Sequence, residues 1–545
     1  MKKNKNYLPL ALIVIAAILQ CRHLFSPGFY TFSDEPHIAN LHQMVQALKS
    51  GQIAPRWGPN FSFDFGHPFF NFYYLLPFLA GSLLNIFLHI NLIWSLKLVF
   101  IISSILSGIF FYFLAKKLFS IPIALSTALL YLFTPYRAVD LYVRGAVGEI
   151  TAFALLPLVC LGTINLIQKP NPKNFFKSSL YLFLLLIAHN LSFLIFVPFL
   201  TIIIFCYQKK SLKHFFLSLT ISLTFASFHL LPAILEKQFM QAGTPFNPLD
   251  HFPFIKQLIL PSWGYGASLW GPHDGLSFQI GIINLVAILL SVLTIKKQTL
   301  PHRKILSGLL ICFFSATFMM NIRSWFIWQI IPISDYIQFP WRFLIITTFI
   351  SSFSLGFTAK INKLLPPFLA ACAIILTLSY FQPAKTLSVD DDYFLKRFFA
   401  NQNSQGTTKQ TSSQYSNYSE DYLPLTVWTQ SRPDHLPPKI EDNPHVYITS
   451  ANLDNPINLK INFTADQSTI LKINNYYFPG WQAKIDNRKA NISPIDSVGR
   501  TGINIPQGKH SLILSFKNTP IRTIANLISL VSFTGFFLYA LKTKK

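Results

Sequence analysis

The sequence predicts a polytopic α-helical membrane protein carrying a β-rich domain on the outer side of the bilayer. Apolar runs of about twenty residues recur along most of the chain, the length that crosses a hydrocarbon core as a helix. Lys and Arg gather in the short loops between these runs. Residues 382–518 abandon that pattern for short alternating segments. Of the 545 residues, 51% are hydrophobic and only 12% charged, against roughly a quarter charged in a soluble domain. Mean hydropathy is +0.41.

The formal charge of +24 does not indicate nucleic acid. Its placement follows the positive-inside rule and sets basic side chains against anionic headgroups. The cysteines, Cys21, Cys160, Cys206, Cys312 and Cys372, fall in or beside apolar runs with no metal-ligand spacing, so neither a disulfide framework nor a zinc site is expected.

From the N-terminus, "MKKNKNYLPLALIVIAAILQCRHLF" lacks a small-residue cleavage motif and predicts an uncleaved first span starting in the cytoplasm. Further runs lie near 73–90, 95–115, 119–135, 150–167, 175–190, 191–207, 214–232, 278–295, 304–320, 341–359, 365–381 and 520–541. If all crossed, Lys116–Lys117, Lys209–Lys210 and Lys296–Lys297 would face outward. Letting 71–90, interrupted by Pro77 and Gly81, lie in the outer interface or dip in and return repairs every loop at once. About a dozen spans follow, with both termini inside. The expected domains are 1–381, a transmembrane unit with a long first outer loop (25–94); 382–518, a β-rich outer domain; and 519–545, a last helix with a basic tail. Within the outer domain, 401–422 reads as a polar linker. "HVYITS", "INLKINFT", "STILKINNYYF", "WQAKID", "INIP" and "HSLILSFK" read as strands of a small antiparallel sandwich.

Chemistry-bearing side chains gather on the outer face. Pro36 at the first helical position, Ile38, Leu41, Val45 and Leu48 at helical spacing and Gly51 at the end describe a short amphipathic helix opening on Asp34–Glu35. One acid there gains about 0.3–1 kcal/mol from the helix dipole; two exceed what capping requires. A positioned carboxylate within reach of a hydroxyl acts as a general base, and its neighbour orients the acceptor or a cation. His37, His42, His67 and Asp64 share the loop and, with Asp34, form a candidate divalent-metal set, although no tight ligand spacing links them. Arg56 offers a guanidinium fork to phosphate. In "TPYRAVDLYVRGAVGE", Arg137, Asp140, Arg144 and Glu149 either pair with one another or meet a ligand. Arg144 and Arg342 are candidates to hold a lipid phosphate, and His189 stands near the outer end of a span.

The acidic pair, "GQIAPRW", "FGHPFFNFYYLLPF", "TPYRAVDLYVRGAVGEITAFALLPL", "IAHNLSF", "SWGYG…DGLSFQIG" and "IQFPWRF" together resemble a family of bacterial multi-pass membrane proteins labelled 6-pyruvoyl-tetrahydropterin synthase-related, similar to YfhO-like proteins. The ending "YYFPGWQAKIDNRKANI…GINIPQGKHSLILSFK" is similar to the outer domain of the latter, and the likeness spans nearly the whole chain. Nothing in the sequence suggests pterin chemistry. The broader likeness is to GT-C glycosyltransferases, and implies a GT-C-like fold, a polyprenyl-phosphate sugar donor and a glycan, lipid or protein acceptor of the cell envelope. It also implies Asp34 as base with Glu35 beside it. Arg56, His67, Arg137, Arg144, Glu149, His189 and Arg342 remain the substrate-binding candidates. A bacterial cytoplasmic membrane is the expected location. The competing classes are a lipid-linked glycan transporter or flippase and a non-catalytic glycan-binding scaffold. No internal repeat, P-loop or Rossmann fingerprint is visible.

Overall fold

The structure, a computed structural model, describes residues 7–62, 64–240, 247–330, 334–399, 437–497 and 499–542. The stretch 401–422, expected as a linker, lies outside the described residues.

Helix α1 (Leu8–Gln20) leads into the first outer loop, which holds β1 (Phe29–Tyr30), α2 (His37–Lys49) and α3 (Leu76–Leu88), before α4 (Leu92–Ala115). By length and composition five helical stretches are able to cross a membrane: Leu92–Ala115, Val147–Gln168, Asn190–Phe225, Pro340–Lys360 and Pro520–Lys542. A sixth is the pair Leu300–Met319 and Ile322–Ile330, bent by 94°. This is fewer than the dozen expected. Several other apolar runs fold as helices of 12 or 13 residues, such as α1, Ile121–Leu132 and Ile282–Thr294. These rise about 18–20 Å against a core of about 30 Å. Pro122 opens one of them and Gly281 (φ 100°) precedes another. Within 190–225, Gln208 leaves helical geometry (φ −157°, ψ 88°) just before Lys209–Lys210. The segment α3 is likewise 13 residues long, and it packs on α2 and α4.

The outer domain contains two antiparallel sheets. One has the order β3 (Val446–Asn452), β4 (Asn458–Ala465), β10 (Gly508–Phe516), β6 (Trp481–Ile485), β7 (Arg488–Ala490). The other runs β5 (Thr469–Tyr476), β9 (Arg500–Ile505), β8 (Ile492–Ile495). Alternate residues of β4 and β10, Leu459, Ile461, Phe463, Leu512 and Leu514, are fully buried, and pack with Leu471, Ile473 and Ile503 of the second sheet. Trp57 and Phe65 of the first outer loop enter this same core. Trp57 meets Trp481 edge-on at 5.4 Å and Phe65 meets Tyr476 at 5.2 Å. The β-domain is therefore completed by the membrane unit rather than tethered beside it.

A strap leads from the last helix before this domain back to the loop that follows α1. Its strand β2 (Thr386–Leu387) pairs with β1, Phe29 opposite Leu387. The following helix, Asp391–Phe398, uses Asp391 to accept the N–H groups of Leu92 (2.7 Å) and Ile93 (3.0 Å), capping α4. Gly28 makes the β1–β2 approach possible: its φ is +69°, and a Cβ there would lie 1.9 Å from the Leu387 carbonyl oxygen. Gly28→Ala is expected to cost more than about 1–2 kcal/mol, the penalty of a left-handed L-residue alone. Limited proteolysis should then cut within 386–399 faster than in the wild type.

Candidate functional site

The site is built on an irregular turn. After the single helical turn Pro135–Ala138 the chain widens into a π-helical segment, Val139–Arg144, and ends at Gly145 before the helix Val147–Gln168. Such wide turns often mark functional sites. Gly145 has φ +69°, and a Cβ on it would meet Phe32 at 2.2 Å. Only glycine lets the first outer loop come this close. There the loop is stitched down by its backbone: Ser33 N–H donates to the Val143 carbonyl (3.0 Å) and Asp34 N–H to that of Arg144 (2.9 Å).

These contacts fix two carboxylates with different fates. Glu35 accepts from Arg397 on the strap at 2.9 Å. Burial pushes its carboxyl up, and the Arg397 guanidinium pulls it back. The Asp34 side chain, 27% exposed, keeps only light contacts, Ser33 Oγ at 3.5 Å and His37 Nε2 at 3.8 Å. His37 is buried, which pushes its imidazole down to about 4 and leaves it neutral at pH 7. Its Nε2 lies 3.5 Å from the Tyr74 hydroxyl.

Behind Asp34, Arg144 bridges Asp140 (2.5 Å) and Glu149 (2.7 Å), and stacks over Trp341 at 4.8 Å. Tyr136 also donates to Glu149 (2.5 Å). Both buried carboxylates are thus engaged. Arg342 is half-buried, and its one protein acceptor among the described residues is the Ile337 carbonyl (3.0 Å). It stands within electrostatic reach of Arg144, Glu149 and Asp34. His189 caps the helix Asn190–Gln208, and its Nδ1 accepts from Ser192 N–H (3.3 Å), so a neutral ring carries its proton on Nε2. Its ring meets Tyr74 edge-on at 5.4 Å.

Of the residues singled out from sequence, Asp34, Arg144, Glu149, His189 and Arg342 form one electrostatically linked cluster, with Glu35 next to Asp34. Three others stand elsewhere. Arg56 gives Nη1 to Asn71 (2.7 Å) and Nη2 to Phe228 O (2.8 Å) and Asn526 (3.1 Å), beside a buried Glu236–Arg522 pair. Both of its terminal nitrogens are taken by protein acceptors rather than offered to phosphate. His67 is buried and stacked on Phe61 at 4.8 Å, and burial pushes it down to about 3. Arg137 is fully buried between the rings of Tyr131 and Phe153 (5.3 and 4.8 Å). The candidate metal set is dispersed as well. His42 lies against Gln46 (3.1 Å), Asp64 accepts from Asn60 (3.0 Å), and no three His, Cys, Asp or Glu side chains among the described residues converge as ligands.

Sequence reasoning passed over Tyr74, Tyr136, Trp341 and Arg397. Aromatic side chains are ordinary beside a bilayer, so the first three gave no separate signal. Arg397 gave no signal, since its partner is 362 positions away. Because Arg397 already holds Glu35, Glu35→Gln is expected to slow whatever chemistry occurs here by less than about tenfold, well below the effect of a lost general base. Turnover of Glu35→Gln, measured beside that of Asp34→Asn, checks this.

Six chains among solved structures match this fold. One is the arabinofuranosyltransferase AftD from Mycobacteria, 12% identical, with a TM-score of 0.49 over 72% of this chain and 28% of that one. Another is the oligosaccharyltransferase of Archaeoglobus fulgidus, 13% identical, with a TM-score of 0.48 over 79% of this chain and 61% of that one. The chain therefore spans less than two thirds of either. No curated protein sequence matches it significantly. A family model, the 6-pyruvoyl-tetrahydropterin synthase related domain, described as a membrane protein, matches residues 70–385, and the chain belongs to that family.

Proposed function

We propose that this protein is a membrane glycosyltransferase that moves a sugar from a polyprenyl-phosphate donor to an acceptor on the extracytoplasmic face of a bacterial cytoplasmic membrane. The reaction serves synthesis or modification of a cell-envelope glycan. Asp34 Oδ takes the proton of the acceptor hydroxyl. The acceptor oxygen bonds to the anomeric carbon as the bond from that carbon to the phosphate oxygen breaks, inverting the centre. The lipid phosphate leaves with the electron pair, and Arg342, with nitrogens not committed to the protein, faces its charge. Arg144, held by two carboxylates, positions this wall rather than binding directly.

The observation that carries the reading is the contrast among the four carboxylates. Glu35, Asp140 and Glu149 are engaged by arginines, whereas Asp34 is partly exposed and, among the described residues, forms no ion pair with Lys or Arg. A base must keep its lone pair available.

The test uses purified protein in nanodiscs, a panel of polyprenyl-phosphate sugars, and a membrane extract as acceptor source. Mass spectrometry follows donor loss and sugar-modified product. Donor consumption by the wild type and its absence in Asp34→Asn support the reading. Equal consumption in both removes Asp34 from the chemistry. An intact donor recovered on the opposite leaflet would make the protein a transporter.

A further inference from the structure

The two sheets of the outer domain treat their basic residues differently. In the three-stranded sheet Arg500 pairs with Glu441 (2.6 Å) and Asp496 (2.6 Å), and Lys472 lies 3.9 Å from Glu441. The five-stranded sheet turns Lys460, Lys484, Lys489 and Lys509 to its outer face, all exposed. None of the four forms an ion pair among the described residues. Of the acids at the strand ends, Asp466 is engaged by His445 (3.1 Å) and Asp486 by His510 (2.6 Å), while the exposed Asp454 lies in the turn between β3 and β4.

Register aligns these lysines. Lys460 on β4 stands opposite Ile513 on β10, Ile513 opposite Lys484 on β6, and Lys484 opposite Lys489 on β7. At about 4.8 Å between strands, the row covers about 14 Å. Lys509 stands two pleats further along β10, opposite Thr464. Like charges directly opposed, as at Lys484 and Lys489, destabilise a sheet, and an anion laid across them relieves that repulsion. Between the lysines lie uncharged hydrogen-bonding side chains: Asn462 opposite Ser511, with Asn462 Nδ2 donating to Ser450 Oγ at 2.9 Å. No carboxylate interrupts the outward positions.

We propose that this face is a binding site for an anionic glycan, a polymer bearing carboxylates or phosphates at regular intervals. The lysine row takes the charges while Asn462, Ser450 and Ser511 meet sugar hydroxyls. A lipid surface fits less well. Interfacial segments bury large apolar side chains in the acyl boundary, and this face offers only Tyr447 and a half-buried Ile513. The site is independent of the transferase reading: it holds whether or not Asp34 transfers a sugar.

The test uses the full chain in phosphatidylcholine nanodiscs with two fluorescent probes, a polygalacturonate oligomer and a neutral dextran of matched length. Polygalacturonate should bind at least about tenfold more tightly than dextran and weaken as salt screens the row. The Lys460→Gln/Lys484→Gln/Lys489→Gln/Lys509→Gln variant should lose at least about tenfold in affinity without melting earlier, since exposed substitutions barely affect stability and the Lys484–Lys489 repulsion is removed. Equal binding of the two probes, or a variant that binds as the wild type does, overturns the proposal. Hydrogen exchange in β4 and β10 distinguishes the lipid. Protection by phosphatidylglycerol nanodiscs, without affinity for polygalacturonate, assigns the face to the membrane and overturns it as well.

Discussion

Asp34→Asn is expected to lower sugar transfer by about 10²–10⁴-fold, the usual contribution of a positioned general base, with melting temperature unchanged. The structure separates these two effects. Asp34 is held by its backbone N–H on the Arg144 carbonyl, and its neighbour Ser33 by the Val143 carbonyl. Asn retains both. The side chain itself makes only a 3.5 Å contact with Ser33 and a 3.8 Å contact with His37, and is 27% exposed. Little stability is lost with it. His37, pushed down to about 4 by burial, carries no charge at pH 7 that would be left unpaired. The loss should therefore fall on kcat while KM stays near its wild-type value, the pattern of an interaction made only in the transition state. A variant that keeps wild-type kcat would exclude Asp34 as the base. A variant that melts early would show that the carboxylate holds the loop, against the geometry.

How much of this was legible in the sequence varies with the range of the interaction. The acidic pair stands out because Asp34 and Glu35 are adjacent and open a helix whose apolar spacing is local. The strands β3, β4, β5, β6 and β10 lie where alternation placed them, because burial on one face writes a period of two into the chain. The strands β7 and β8, three and four residues long, are too short to show a period. The arginines were visible, but their partners were not. Arg56 and Arg342 carry the same group in aromatic surroundings, yet one closes a buried network and the other stands in the cluster with Asp34. That difference is set by Asn71, Phe228 and Asn526, which are scattered along the chain. Helix length is hard to read from sequence for a related reason. Hydropathy reports how apolar a run is, whereas Pro, Gly and single departures such as Gln208 decide how long a helix continues. Trp57, one aromatic among many in its loop, lies in the core of the β-domain, where only the distant Trp481 and Phe516 give it a place.

Breaking the joint beneath that domain is expected to have the largest effect on stability. Glu236 is 1% exposed and accepts from Arg522 (2.9 Å), Asn71 (2.8 Å) and Thr519 (2.9 Å). Arg522, fully buried, also donates to Pro479 O (2.9 Å) and lies over Phe516 at 4.9 Å. Asn71 passes the network to Arg56. One carboxylate thus serves two buried guanidiniums, and joins the first outer loop, the β-domain and the helix Pro520–Lys542. Glu236→Ala leaves both arginines without it. Removing one partner of a buried pair costs about 3–5 kcal/mol, because the remaining charge stays desolvated. Thermal melting should show the loss, and hydrogen exchange should rise first at 476–481 and around Asn71. Asp392→Ala is the control: its pair with Lys396 spans 3.5 Å between side chains 67% and 62% exposed, and such surface pairs contribute little. The same physics predicts a rescue. Replacing Glu236 and Arg522 together with Leu and Met removes a cation along with the carboxylate, and should recover much of the stability lost in Glu236→Ala. If the double variant melts no higher than the single one, the joint depends on hydrogen-bond geometry rather than on charge.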